Sequence, residues 1–185
     1  MEMPRWLLPF TNGVDMRAID YVVRLAESAG VTLIPVSLVS APPKRGARLE
    51  HIQQSKDFLE AVRFKAERLG VPVERYEVFT ADVLRSIAVL VCEMRCDGIV
   101  LVSRGQRTRL MQDEEVKRLL IDSPTALVLI RLPAHSRSIL KLHQGDNFFS
   151  WLPSHWGKQH SASRAECVPS EEEPLWVRTE QHHLV

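Results

Sequence analysis

Three arginines, Arg104, Arg107 and Arg109, stand close to Gly105 and just ahead of the acidic run Asp113, Glu114 and Glu115, in the stretch LVSRGQRTRLMQDEEVKRLL. Two kinds of chemistry meet there. Guanidinium groups hold an anion by charge and fork geometry and need no glycine cradle. A helix start holds one through free N–H groups and the positive end of its dipole. The three carboxylates oppose the second device, because one would cap the helix and the others would satisfy its dipole. Set beside a triphosphate, each would cost on the order of 1 kcal/mol. The arginines keep the first device open. With Thr11, Asn12, Ser103 and Gly105 they would form an anion- or nucleotide-binding loop; on the plainer account they pair with the adjacent carboxylates or face solvent.

Other reactive residues form no comparable group. Cys92 and Cys96 are four apart on an expected helix and share a face, a spacing a metal or redox site could use, but no further ligand stands near them in sequence, so they read as buried structural thiols. His155 and His160, or His182 and His183, would bind a metal only adventitiously. Lys44, Arg45 and Arg48 read as a solvated basic loop. No Ser-His-Asp arrangement, nucleophile elbow or carboxylate pair with a role is present, and Ser103 belongs to a turn. The chain is expected not to be an enzyme and to need no cofactor or metal.

These residues must be positioned by a frame, and from Trp6 to Arg131 short apolar runs alternate with segments of helical period. Trp6 to Phe10 reads as a strand. Ala18, Ile19, Val22, Val23 and Ala26 form one helical face, closed by Gly30. Val31 to Val39 is a second strand. Ile52, Leu59, Val62, Ala66 and Leu69 mark a long helix ending at Gly70. Val73 to Phe79 is a third strand, Asp82 caps a helix running to Arg95, and Ile99 to Val102 is apolar throughout, as a central parallel strand should be. Strands alternating with helices imply right-handed crossovers and an open parallel α/β sheet with helices on both faces. Pro9 and Pro35, inside strands, argue for edge positions or bulges.

The formal net charge is +1, which gives no global field for nucleic acid or an anionic membrane. No apolar run approaches the roughly 20 residues that span a bilayer, and MEMPRWLLPF turns polar too soon for a signal peptide. Three cysteines suit a reducing compartment. The chain is expected to be cytoplasmic, with no nucleic-acid or membrane partner. Residues 134–185 lack sustained period and read as a loosely ordered tail behind a domain of residues 1–133. Within that tail Phe148, Phe149, Trp151 and Trp156 crowd together and should dock, either back on their own domain or on a partner protein.

The order of elements, with WLLPFTNG at the first strand end, DGIVLVSRG at the fourth and SPTALVLI at the last, resembles the universal stress protein family over about residues 4 to 133. The resemblance implies a five-stranded, adenine nucleotide alpha hydrolase-like sheet of order 3-2-1-4-5, a homodimer through the last strand, and a role in stress response or signalling. Nucleotide-binding members of that family carry an acidic residue at the end of the first strand and Gly-x2-Gly-x9-Gly-[Ser/Thr] after the fourth. Here the first place reads Pro9-Phe10-Thr11-Asn12-Gly13, without a carboxylate. In the second, Val102 replaces the first glycine and only Gly105 survives. Counting on from it reaches Glu115 and Val116, and aligning from Ser123 puts Asp113 and Glu114 at the last two places. The chain is therefore expected not to bind ATP in the family's manner. Leu127, Val128, Leu129 and Ile130 are apolar on both faces of a strand placed at the sheet edge, which invites pairing with a second copy.

Overall fold

A computed structural model of the chain describes residues 3–42, 46–105 and 107–133, and the backbone of residues 176–179. Its elements run β1 (Arg5–Phe10), α1 (Met16–Ala29), β2 (Thr32–Ser40), α2 (Leu49–Leu69), β3 (Tyr76–Thr80), α3 (Val83–Glu93), β4 (Gly98–Arg104), β5 (Arg107–Arg109), α4 (Asp113–Ile121), β6 (Ala126–Leu132) and β7 (Trp176–Thr179). The parallel strands lie in the order β3-β2-β1-β4-β6, the expected order, with the last strand sixth in the chain because the short β5 precedes it. Helices cover both faces. On one side Ile19 and Val22 of α1 and Phe58 and Val62 of α2 pack on Leu8, Leu33 and Val100 of the sheet. On the other, Ile87 and Leu90 of α3 and Val116 and Leu119 of α4 pack on Leu7, Ile34 and Leu101. The alternation within β4, Val100 and Val102 to one side and Ile99 and Leu101 to the other, is the period of a strand buried on both faces.

Phe10 and Phe58 stack at 4.3 Å between ring centroids, both fully enclosed, and tie the end of β1 to α2. Truncating either ring would cost about 3–5 kcal/mol. Asp15 caps α1 through the amides of Arg17 and Ala18, and Asp82 caps α3 through that of Arg85. Since α3 ends at Glu93, Cys96 lies beyond the helix rather than on one face of it with Cys92. Burial pushes its thiol up to about 12, which makes it a poor nucleophile at neutral pH.

Pro9 and Pro35 lie in central strands and not at edges. Each missing N–H falls in a gap of the ladder. The carbonyl of Pro4 accepts from Thr32 on the β2 side and that of Arg5 from Asp97 on the β4 side, so by alternation Pro9 faces β4. There the pairing of β1 with β4 has already stopped, at Leu7 with Ile99. Pro35 faces β3 between the isolated bridge of Leu33 with Val73 and the ladder that begins at Val36 with Tyr76.

At the far margin β7 pairs antiparallel with β3, Trp176 opposite Phe79 through Thr179 opposite Tyr76. Part of the expected tail thus supplies a strand. Phe148, Phe149, Trp151 and Trp156 lie outside the described residues, as do Lys44 and Arg45. Among the described residues no helix is long and apolar enough to cross a membrane.

Candidate functional site

Open α/β sheets bind ligands where the strand order reverses, in the crevice at the carboxyl ends of the strands. Here that place lies between β1 and β4, which pair only at Trp6 with Gly98 and Leu7 with Ile99 and then part. β6 occupies one side of β4 along its whole length, Gly98 to Arg104. β5, which pairs antiparallel with Val102 to Arg104, must therefore use the other side, the one β1 has vacated. The amide of Thr11, just past β1, donates to the carbonyl of Leu110 at 2.7 Å, and that of Asn12 to the same oxygen at 3.3 Å. The chain fills its own crevice.

Local chemistry explains the hairpin. Arg104 pairs with Arg107 across a two-residue loop, and Gly105 takes φ 63° there. Tight hairpins ask for positive φ in the loop, and glycine adopts it without a Cβ penalty. The one glycine left of the phosphate cradle thus makes a turn. Leu110 also has positive φ, 72°, although it is bulky and 2 % exposed. A strained residue of this kind persists where its surroundings over-determine it. Its side chain packs with the α1–α2 core while its carbonyl takes the two amides at the end of β1.

Alternation along β5 sorts its side chains. Arg109 stands opposite Val102 and Arg107 opposite Arg104, on the α1 face, and Thr108 stands opposite Ser103 on the α4 face. On the α1 face Arg104 Nη2 lies 3.1 Å from both carboxylate oxygens of Asp15, and Arg109 Nε lies 3.6 Å from Asp15 Oδ2. Arg109 Nε is buried without a hydrogen-bond partner among the described residues. Arg107 is exposed. Arg104 and Arg109 thus converge on a carboxylate that also caps α1, not on the acidic run that follows them in sequence.

The acidic run has other partners. The hydroxyl and amide of Thr108 donate to Asp113 and hold its carboxyl below the usual carboxylate range. Glu114 pairs with Lys117 at 2.6 Å. Glu115 accepts from the Thr11 hydroxyl at 2.6 Å and from the Gln112 amide at 3.1 Å. The first turn of α4, the end of the helix that would face a phosphate, is supplied with negative charge from within and tied to Thr11. Of the expected anion loop, Arg104 and Arg109 come together on Asp15 on the α1 face, Thr11 is hydrogen-bonded to Glu115 of α4, and Gly105 makes the hairpin turn. Asn12 gives its amide to the Leu110 carbonyl, Ser103 is half-buried on β4, and Arg107 stands at the rim.

At the opposite margin, β6 has β4 as its one partner among the described residues. Val128 and Ile130 pack toward α1 and α2, and Leu127 toward α3 and α4. Leu129 is 52 % exposed, and on the same side of the sheet Leu120 and Ile121 at the end of α4 are 52 % and 86 % exposed.

No protein-family model matches the sequence, and no curated protein does. Solved structures do. A universal stress protein from Archaeoglobus fulgidus superposes with a TM-score of 0.55 at 15 % identity, over 70 % of this chain and 95 % of that one. The A. fulgidus protein in complex with dAMP gives 0.54 at 16 %, over 70 % and 99 %. A universal stress protein in complex with cAMP gives 0.51 at 19 %, over 71 % and 98 %. The chain has the universal-stress-protein fold.

Proposed function

We propose that the chain uses the universal-stress-protein fold as a non-catalytic stress-response or signalling module that has given up family-type ATP binding and works through self-association and partner contacts. One observation carries the first half of this reading: β5 and Leu110 stand in the crevice between β1 and β4, held by the amides of Thr11 and Asn12. A nucleotide entering there would have to displace a paired strand, a buried leucine and the Thr11–Glu115 hydrogen bond, and would meet Glu115 behind them. The second half rests on β6, whose outer margin has no partner strand among the described residues and whose exposed Leu129 suits antiparallel pairing with a second copy in a closed, two-fold contact.

ATP at about 100 times its Kd would stabilise a binding protein by roughly 2.7 kcal/mol. For a chain of this size that is a rise in Tm of about 5–10 °C. The expected rise with Mg-ATP is none, by thermal shift of the full chain. A saturable rise rejects the reading.

A specific observation favours a second reading, a sensor of a small anion or nucleotide. Arg104 and Arg109 share the single carboxylate of Asp15, and the Nε of Arg109 is buried without a hydrogen-bond acceptor among the described residues. Two of the solved relatives by fold hold dAMP and cAMP. If one of those ligands stabilises the chain and Arg107→Ala or Arg109→Ala abolishes the effect, this second reading replaces the first.

A further inference from the structure

Glu77 lies in the middle of β3 and is 8 % exposed, beneath α2. Its carboxylate accepts from the hydroxyl of Ser55, on α2, at 2.5 Å. Among the described residues no lysine or arginine forms an ion pair with it. Ser37, its register partner on β2, is 1 % exposed, and its hydroxyl has no hydrogen-bond partner among the described residues. A carboxylate accepts about four hydrogen bonds, and leaving one buried with a single donor is costly by several kcal/mol unless a cation faces it. One strand supplies a cationic residue at that height: the antiparallel register sets Arg178 of β7 opposite Glu77. Directly opposed residues share a face, with Cβ atoms about 4.5–5.5 Å apart, and opposite charges there attract.

Covalent constraint does not explain this placement. Residues 133–175 separate β6 from β7, a length of chain that can reach on the order of 100 Å when extended, so the tether fixes neither the margin nor the register. Backbone pairing alone would accept any extended segment in any register. The buried carboxylate is a feature of β3 able to distinguish one register from the next, through the residue type set opposite it.

We propose that the margin of β3 is a strand-docking site selective for an extended segment with an arginine or lysine opposite Glu77, and that Trp176–Thr179 is its resident, detachable occupant. The main-chain groups of β3 supply affinity and Glu77 supplies selection, as in other cases where a peptide adds a strand to a sheet. Thr80 turns its carbonyl toward Ala41 on the β2 side, so by alternation the amides of Glu77 and Phe79 face β7 and report its presence.

Hydrogen exchange on the full chain tests this. Arg178→Glu is expected to speed exchange at the Glu77 and Phe79 amides by about tenfold or more, with the β4 amides unchanged. A synthetic peptide of residues 174–181, added at about 1 mM to overcome the loss of the tether, is expected to restore their protection in that variant. The same peptide carrying Arg178→Glu is expected to restore nothing. In a Glu77→Gln chain, or in Glu77→Met if that chain does not fold, Arg178→Ala should lose most of its effect on exchange. Exchange within about twofold of wild type in Arg178→Glu, or equal rescue by both peptides, overturns the proposal.

Discussion

Along β3 the sheet ends in a buried carboxylate, Glu77, with Ser55 on it and the chain's own β7 beside it; along β6 it ends in Leu127 to Ile130, with Leu129 half exposed. The outer main-chain groups of β3 are taken by β7, whereas among the described residues those of β6 have no partner strand, the hazard of every open sheet. The two margins differ in what a newcomer meets. A strand approaching β3 must answer a charge, whereas one approaching β6 must bring apolar surface, and a second copy of β6 brings it by symmetry. On the readings proposed above, a sheet of one topology recruits its own tail at one side and its own likeness at the other, the choice resting on a few side chains.

The largest effect should come at the apolar margin. Leu129→Lys is expected to weaken self-association about 100-fold or more, roughly 2.7 kcal/mol, and to give a monomer in light scattering with an unchanged fold. A wild-type chain already monomeric at tens of micromolar would break the contrast between the margins and reject the dimer, leaving the segment with Phe148, Phe149, Trp151 and Trp156 as the candidate cover for β6.

At the charged margin a pair of serine changes should separate sharply. Ser55→Ala removes the hydroxyl that serves Glu77 and is expected to cost about 1–3 kcal/mol in urea denaturation. Ser37→Ala, in register with the same carboxylate, removes a hydroxyl without a partner among the described residues and should stay within about 0.5 kcal/mol. Equal losses would show that Glu77 is served through both.

The smallest effect is alkaline. Burial, and then the negative charge of Glu74, push the Tyr76 phenol up from its ordinary value. A raised folded-state value favours the protonated form, so this contribution is whole below about pH 10 and is lost as pH rises through the folded-state value. Tyr76→Phe should flatten the fall in Tm over that alkaline range. At the other margin Leu127 to Ile130 carry no titrating group, and Leu129→Ala should leave the alkaline limb unchanged.

Periodicity made most of this frame legible. The five parallel strands and four helices follow from apolar runs and from the 18-19-22-23-26 face of α1, and Asp82 announced its own cap. What escaped was short or distant. Arg107–Arg109 is three polar or charged residues with no apolar alternation, and it becomes a strand because β4 and β1 leave a slot for it. Trp176–Thr179 is four residues far from its partner β3 in sequence. Asp15 lies two residues past the stretch Pro9 to Gly13, and its one signal in the sequence is its place ahead of the apolar face that begins at Ala18. The arginines were expected to meet their nearest acids or solvent, but strand alternation turned Arg104 and Arg109 to the α1 face, where Asp15 waits. Prolines in central strands were unreadable because sequence does not show where a ladder is interrupted.

The hairpin of β4 and β5 has a consequence in time as well as in space. Its strands are neighbours in the chain, and a hairpin closes in about 1–10 μs. Thr11 and Glu115, which seal the crevice from the other wall, are 104 residues apart and must wait for the slower closure of a long loop. On these timescales the stopper is expected to form before the bottle's neck, so that the folding chain does not pass through a vacant crevice. Gly105→Ala, which strains the loop at φ 63°, should accordingly slow refolding more than it speeds unfolding.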